Sequence, residues 1–293
     1  MTSEADVRQG VTDRSATAAP PAAQDSRHGP VAQLLIAWSP LSAILAAYWL
    51  AQWITAPLGT GEGSSTNRIG ASLNVLGPAR ADEWLFGEVP TVWLQERLVD
   101  GAPHWYDAAA ALVYITHFVT IPLLTAVVWF RLRDRFREWV AAALTMSLVG
   151  IVGYVVYPAA PPWLASERGQ IGAVDRISHI GWDHLQLNVV GRLTELGQSG
   201  SNPVAAMPSL HAGAALLVAL FLWPSVPRLA RPALLAYAAA MALTLVYTGE
   251  HYVADVLAGW LVAALAAAAA VAARSHGYRR DRERVERSTE EVT

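Results

Sequence analysis

The chain has 293 residues, a formal net charge of −3 and a mean hydropathy of +0.30, with 54% hydrophobic and only 15% charged residues. This composition is too apolar for an ordinary soluble domain and indicates a membrane protein. The sequence contains no cysteine, which excludes disulfides and thiolate chemistry. All 21 basic residues are arginine, and the small net charge gives no indication of nucleic-acid binding.

Three regions follow from the distribution of apolar residues. Residues 1–30 are polar and have no apolar period, so we expect a disordered tail, and we see no cleavable signal peptide. Residues 31–273 form the predicted membrane domain. Residues 274–293 form a basic tail on the cytoplasmic side.

The membrane domain is predicted to be all-α, because six segments are apolar enough and, at about 20 residues each, long enough to cross a bilayer as helices. These segments are 31–57, 106–130, 138–158, 208–225, 229–248 and 251–273. The long connections 58–105 and 159–207 mix Trp and short apolar stretches with polar residues, so we expect interfacial helices in these outer loops.

The placement of arginine predicts the orientation. The short connections and the C-terminal tail are dense in arginine, whereas each long connection carries three. The positive-inside rule therefore puts both termini in the cytoplasm and the long connections outside the cell membrane. Three polar motifs then meet at the outer face: YPAAPPW at 157–163, MPSLHAG at 207–213 and GEHYVADVLAG at 249–259. This meeting predicts a functional site.

The third motif separates His251 and Asp255 by four residues, which places them on one face of a helix. The carboxylate can accept a hydrogen bond from one ring nitrogen and leave the other as a nucleophile or base. An ionisable residue inside a membrane helix is costly, which favours a functional role. The alternative is an interfacial histidine that caps a helix, with the aspartate paired to an arginine.

In the second motif, Pro208 suits the first turn of a helix. Ser209 and the free N–H groups of that turn can bind an anion such as phosphate. His211 falls in the same turn, where it can act as a second acid or base. A zinc site is disfavoured because there is no HExxH-type pair, so no metal or other cofactor is expected.

The first motif is open to two interpretations. Its consecutive prolines end the third span and enforce an extended exit. The side chains of Tyr157, Pro161, Pro162 and Trp163 form either a turn at the membrane interface or a wall that shapes a headgroup pocket.

The motifs PSLH at 208–211 and HYVADVLAG at 251–259 resemble the type 2 phosphatidic acid phosphatase superfamily. With YPAAPPW and TGEHYVAD, the chain looks most like its inositolphosphotransferase branch, which includes the fungal inositol phosphorylceramide synthases. The resemblance covers about 106–273, which it implies is the catalytic core of the membrane domain. It implies that His251 attacks phosphorus to form a phosphohistidine, that Asp255 orients it, and that His211 protonates the leaving oxygen. Ser209 and nearby N–H groups would hold the phosphate, and no metal is required.

The chain also departs from the ordinary phosphatases of that superfamily. Those carry a Lys/Arg-containing motif before PSxH and an arginine six residues before the second histidine, where this chain has Leu245. Thr248, Gly249 and Glu250 flank the site instead. The departure leaves open which cation neutralises the phosphate; the candidates are Arg68, Arg80, Arg97, Arg168, Arg176 and Arg192. His104 and His117 are further candidates, although a helix-packing role is expected for both.

The resemblance implies an enzyme that transfers a phosphoryl-containing group between membrane lipids, from a donor phosphoester to an alcohol acceptor, at the outer leaflet. Phosphatidylinositol or a polyprenyl phosphate is expected as donor, and a ceramide acceptor is not assumed. Two alternatives stay open: hydrolysis of a lipid phosphate or polyprenyl pyrophosphate, and a non-catalytic membrane protein that binds a headgroup. The six predicted spans exclude a soluble haloperoxidase of the same superfamily.

Overall fold

The computed structural model describes residues 29–59 and 64–290, and within these ranges the chain forms twelve α-helices and no β-strand. The helices are α1 (Pro30–Trp38), α2 (Leu41–Gly59), α3 (Gly77–Phe86), α4 (Pro90–Leu98), α5 (Trp105–Arg131), α6 (Phe136–Val156), α7 (Pro162–Glu167), α8 (Gly181–His184), α9 (Asn188–Ser199), α10 (Leu210–Leu222), α11 (Arg231–Tyr247) and α12 (Val253–Glu290). The predicted all-α fold is confirmed. The disordered tail predicted for 1–30 lies, up to residue 28, outside the described residues, and the helix α12 continues through the predicted basic tail to Glu290.

Five helical stretches in the described part of the chain are long and apolar enough to cross a membrane. They are Leu41–Gly59, Trp105–Arg131, Arg133–Val156, Arg228–Tyr247 and Val253–His276. The first predicted span is divided at Pro40, whose missing N–H interrupts the helix between α1 and α2. The predicted span 208–225 contains only the 13-residue helix α10. At 1.5 Å per residue α10 is about 20 Å long, against about 30 Å for the hydrocarbon core.

The long helices run alternately up and down. We call the end of the bundle where α10 and α12 begin the site end, and the opposite end, where α5 is followed by Arg133–Arg135, the arginine end. Both long connections lie at the site end. They contain the short helices α3 and α4 in the first case and α7, α8 and α9 in the second, so helices form where they were predicted. Their location at a membrane interface stays a prediction.

The helices α10 and α12 cross closely at two glycines. A Cβ atom on Gly259 would collide with the carbonyl group of Ser209, and one on Gly213 would lie 3.0 Å from the carbonyl oxygen of Gly259. Small residues at such crossings let helix backbones approach one another in membrane bundles. The crossing therefore brings the beginning of α10 against the beginning of α12.

The main apolar core lies between this crossing and the arginine end. Trp139 is fully buried there and packs with Leu217 and Phe221. Its indole nitrogen donates a hydrogen bond of 2.8 Å to Thr125 Oγ1, so burial leaves no unsatisfied donor on this ring. The core thus fixes α5, α6 and α10 relative to one another below the site.

Candidate active site

His211, His251 and Asp255, which the sequence predicted to meet, lie in a row at the site end. His211 Nδ1 is 3.3 Å from His251 Nε2, and His251 Nδ1 is 3.5 Å from Asp255 Oδ2. His251 and Asp255 are buried, and His211 is half-buried. One nitrogen of His251 therefore faces a carboxylate and the other faces a second imidazole, which are the surroundings of a nucleophile or base held in one tautomer.

The sequence predicted that His251 and Asp255 meet on one face of a helix, and this geometry is wrong. The helix α12 begins at Val253, so His251 precedes the helix and Asp255 lies in its first turn. Asp255 Oδ2 accepts a hydrogen bond of 2.9 Å from the backbone N–H of Tyr252, which holds the preceding chain against the carboxylate. Within the described residues, His251 Nδ1 and Asp255 Oδ1 make no hydrogen bond, so the two groups meet at ion-pair distance only.

The start of α10 also differs from the prediction. Ser209 is the N-cap and Pro208 precedes it, so the proline is not in the first turn, whereas His211 is. Ser209 Oγ accepts a hydrogen bond of 3.2 Å from Ala212 N, and Ser209 N donates one of 2.9 Å to the carbonyl oxygen of Asp255. Serine is favoured at this position because its short side chain reaches the free N–H groups of the first turn. The buried hydroxyl caps the helix, and its predicted role as a phosphate ligand stays a prediction.

A cavity of about 590 Å³ opens beside the two histidines. The polar side chains that line it at the site end include His211, His251, Arg176, Glu250 and Gln198. Away from them the lining is apolar and comes mainly from α2 and α5, with Leu41, Ile44, Leu45, Phe118 and Ile121. The cavity thus offers a polar environment and an apolar environment to the two parts of an amphipathic molecule.

The predicted binding residues of the first and third motifs divide into two groups. Pro161 and Trp163 line the cavity. Tyr157, Pro162, Thr248 and Gly249 do not. The side chain of Tyr157 is 37% exposed at the end of α6, and Pro162 begins α7.

Thr248 and Gly249 shape the chain that leads to His251. Gly249 has φ 78°, and a Cβ there would lie 2.6 Å from the carbonyl oxygen of Asp175, so both the turn and the close approach require glycine. The Gly249 carbonyl accepts a hydrogen bond of 3.3 Å from Trp163 N, and the Thr248 carbonyl accepts one of 3.1 Å from Ile177 N. These two residues therefore join the second long connection to the start of α12.

Of the six candidate arginines, Arg176 alone lines the cavity. Its Nε and Nη2 atoms each donate a hydrogen bond of 2.9 Å to the carboxylate of Glu250. Burial lowers the pKa of Arg176, but the bonds and charge of Glu250 outweigh it and raise the pKa above its ordinary value, so the guanidinium stays charged. Two other candidates stack on tryptophans, with Arg68 and Arg97 each 4.4 Å from a ring centroid. Arg176 is thus the cation placed to meet an anionic group in the cavity.

Glu250 is held by more than Arg176. Ser178 Oγ donates a hydrogen bond of 2.7 Å to Glu250 Oε1, and Gln198 Nε2 donates one of 3.0 Å to the same oxygen. Gln198 Nε2 also lies 3.3 Å from the hydroxyl of Tyr114, which lines the cavity. This network fixes the carboxylate, and through it the guanidinium, in one position. Glu250 was visible in the third motif, but no local signal in the sequence marked Ser178, Gln198 or Tyr114.

The two additional histidines behave differently. The ring centroid of His117 lies 3.9 Å from that of His211, and His117 lines the cavity with its Nδ1 atom unpaired among the described residues. His104 lies at the start of α5, where its backbone N–H donates a hydrogen bond of 2.7 Å to Asp107 and its ring contacts Asp100 at 3.0 Å. The contacts of His104 therefore stabilise the start of α5, whereas His117 lies in the wall of the cavity.

Comparisons with known proteins identify the family of the chain. A family profile described as the PAP2 superfamily matches residues 79–269, more than half of the 293-residue chain. Phosphoinositol dihydroceramide synthase of Bacteroides thetaiotaomicron is 27% identical over an alignment of 172 residues that covers 53% of this chain and 53% of that protein. The inositol phosphorylceramide synthase catalytic subunit of Saccharomyces cerevisiae is 32% identical over an alignment of 124 residues that covers 39% of this chain and 29% of that protein. The chain thus spans about half the length of the first relative and less of the second, and no solved structure gives a significant match.

Proposed function

The chain belongs to the PAP2 superfamily, and from this premise we propose that it is a membrane enzyme that transfers a phosphoryl-containing group from a lipid phosphoester to an alcohol. The observation that carries the proposal is the row of contacts from His211 through His251 to Asp255, beside Arg176 in a cavity with polar and apolar ends. A nucleophile, an acid or base, an orienting carboxylate and a fixed cation are the groups that phosphoryl transfer requires.

In the first step, His251 Nε2 attacks the phosphorus of the donor. A nitrogen–phosphorus bond forms and the bond from phosphorus to the donor's alcohol oxygen breaks, while His211 gives a proton to that oxygen. Asp255 stabilises the positive charge that develops on the imidazole of His251, since it faces Nδ1 at 3.5 Å. Arg176 offsets the negative charge on the phosphoryl oxygens.

In the second step, His211 accepts the proton of the acceptor's hydroxyl group, whose oxygen attacks phosphorus and releases His251. An acceptor alcohol yields transfer, and water yields hydrolysis. The names of the two relatives favour a phosphoinositol group as the transferred group and a ceramide or dihydroceramide as the acceptor. A ceramide acceptor was not assumed from the sequence, but the name of the bacterial relative adds dihydroceramide to the candidate acceptors.

We propose further that the chain crosses the cell membrane six times, with α10 as the short span, both termini in the cytoplasm and the site end outside. Support comes from the arginine-dense connections at the arginine end. The absence of native cysteine makes the test direct. Gln170→Cys should react with a membrane-impermeant maleimide in intact cells, and Leu229→Cys only after permeabilisation; the reverse pattern would invert the orientation.

The test of the reaction uses purified protein with labelled phosphatidylinositol or labelled lipid phosphates, with and without diacylglycerol or a ceramide as acceptor. His251→Ala should abolish turnover. His276→Ala is the matched control, because His276 lies on the exposed surface far along α12 and does not line the cavity. It should turn over like the native protein.

Each outcome has a definite meaning. Label that appears on the acceptor and is lost in His251→Ala supports a phosphotransferase. Label released only to water assigns hydrolysis of a lipid phosphate instead. Equal turnover by the native protein and His251→Ala would refute the nucleophile, and no turnover of any donor would favour a headgroup-binding protein without catalysis.

A further inference from the structure

Asp82 is a fully buried acid in α3, within the first long connection. Its Oδ2 atom accepts a hydrogen bond of 2.9 Å from Val253 N, and its Oδ1 atom accepts one of 2.8 Å from Ala254 N. These N–H groups are the first two of α12, and they have no partner within the helix itself. Asp82 therefore caps, from a distant part of the chain, the helix that carries Asp255.

The sequence around the start of α12 explains why a distant cap is needed. Tyr252 occupies the N-cap position, and its aromatic side chain cannot return an oxygen to the first turn as Ser, Thr, Asp or Asn would. Asp255 is the acid in that first turn, and its Oδ2 atom already accepts a bond of 2.9 Å from Tyr252 N. The same oxygen faces His251, so Asp255 would have to turn away from the imidazole in order to cap Val253 and Ala254.

We propose that Asp82 is a positioning residue for the reaction: by accepting the first two N–H groups of α12, it leaves Asp255 free to orient His251. The inference rests on the proposed function, since it concerns the same nucleophile. It adds a residue from α3, outside the three sequence motifs, to the machinery at the site end.

The electrostatic surroundings of Asp82 make its positioning effect depend on pH. Burial raises the pKa of Asp82 to about 6, although the two backbone hydrogen bonds act against this, and the charge of Asp255 raises it further. The other titratable groups around this point are Tyr252 on the facing segment and Glu83 on α3 itself. Asp82 is thus ionised above about pH 6 and loses its charge and one acceptor as the pH falls through that value. The positioning effect should fade over the same range.

The stability effect has the opposite sign. Because the folded-state pKa lies above the ordinary value of 3.8, folding favours the protonated carboxyl group. The contribution of Asp82 to stability is therefore complete below about pH 3.8 and is lost as the pH rises through about 6. As the pH rises through about 6, the ionisation of Asp82 should therefore raise the rate and lower the free energy of unfolding.

The test compares Asp82→Asn with Glu83→Gln. The control removes the same charge from the next residue of α3, which is exposed. Asp82→Asn should lower kcat roughly tenfold and leave KM within about twofold, a loss of the order that helix caps contribute. The decrease in rate between pH 7 and pH 5.5 should be shallower in Asp82→Asn than in the native protein.

Two further measurements separate positioning from folding and from the proposed function itself. In an Asp255→Asn background, Asp82→Asn should cause little additional loss, because the two residues act through one contact. Independently of turnover, hydrogen exchange should be faster at residues 251–255 in Asp82→Asn and unchanged in Glu83→Gln. The proposal would be overturned if Asp82→Asn had the kcat of the native protein, or if the losses in kcat from Asp82→Asn and Asp255→Asn were fully additive. It would also be overturned if hydrogen exchange at residues 251–255 were unchanged in Asp82→Asn. This last result does not depend on which reaction the protein catalyses.

Discussion

Removing Arg176 tests the proposal that this side chain binds a phosphate in the cavity. In Arg176→Ala the carboxylate of Glu250, whose side chain is 6% exposed, keeps only Ser178 at 2.7 Å and Gln198 at 3.0 Å as donors. Breaking a buried ion pair by removing one partner costs roughly 3–5 kcal/mol in free energy of unfolding. We expect the lower value, about 3 kcal/mol, because the side chain of Arg176 is 24% exposed and two donors stay in place.

A second substitution separates stability from chemistry. Glu250→Gln removes the buried charge and keeps the shape of the side chain, so the double variant Arg176→Ala/Glu250→Gln should regain most of the lost stability. It cannot restore a positive charge beside the phosphate. Its turnover should therefore stay about 100-fold below that of the native protein, the usual order for one lost donor to a transition state.

Both quantities can be measured on detergent-solubilised protein, the first as the midpoint of thermal unfolding and the second as kcat/KM with a labelled lipid donor. Arg168→Ala is the matched control, because Arg168 lies on the same connection, is exposed and does not line the cavity. If the double variant recovered turnover together with stability, the reasoning would be refuted. Arg176 would then act only as the counter-charge of Glu250.

Three further substitutions test the nucleophile, the helix crossing and the arginine end separately. Asp255→Asn should lower kcat by roughly 10³–10⁴-fold with the same amount of protein in the membrane, and unchanged turnover would remove the orienting role. Gly259→Ala should lower the unfolding midpoint because its methyl group meets the backbone at the start of α10, whereas Gly197→Ala, which has open space, should not. Glu138→Gln should lower stability by roughly 3 kcal/mol, since two arginines contact that carboxylate at 2.6 and 2.7 Å, and should keep kcat. A loss of kcat there would show that the two ends of the bundle are coupled.

The helices and the meeting of the three motifs could be predicted because both depend on local properties. Long apolar runs require helices in a bilayer, and an alternating path brings every second helix end to the same side. The pairing of His251 with Asp255 was likewise visible as a spacing of four residues, although the structure makes that contact across a helix start. A spacing of four does not distinguish these two geometries, because the position of the N-cap decides between them.

The other parts of the site depend on contacts between distant residues. Asp82 and Val253 are separated by 171 positions, and Gln198 and Glu250 by 52. No composition or period connects such pairs, so the cap of α12 and the network around Arg176 could not be predicted. Which arginine lies beside the histidines was open for the same reason: six arginines occupy the two long connections, and only the path of the folded chain brings Arg176 into the cavity that the histidines line.

The shortness of α10 bears on the proposed competition between acceptor and water. Four longer helices, α5, α6, α11 and α12, pack against α10, and the chain from 200 to 209 that precedes it is not helical. Non-helical backbone at membrane level is tolerated where protein encloses it or where it lines a cavity. Ser201, Asn202 and Pro203 of this segment line the same cavity as the two histidines. We expect the ratio of hydrolysis to transfer to depend on this non-helical wall, which admits water or keeps it out, more than on the residues that perform the chemistry.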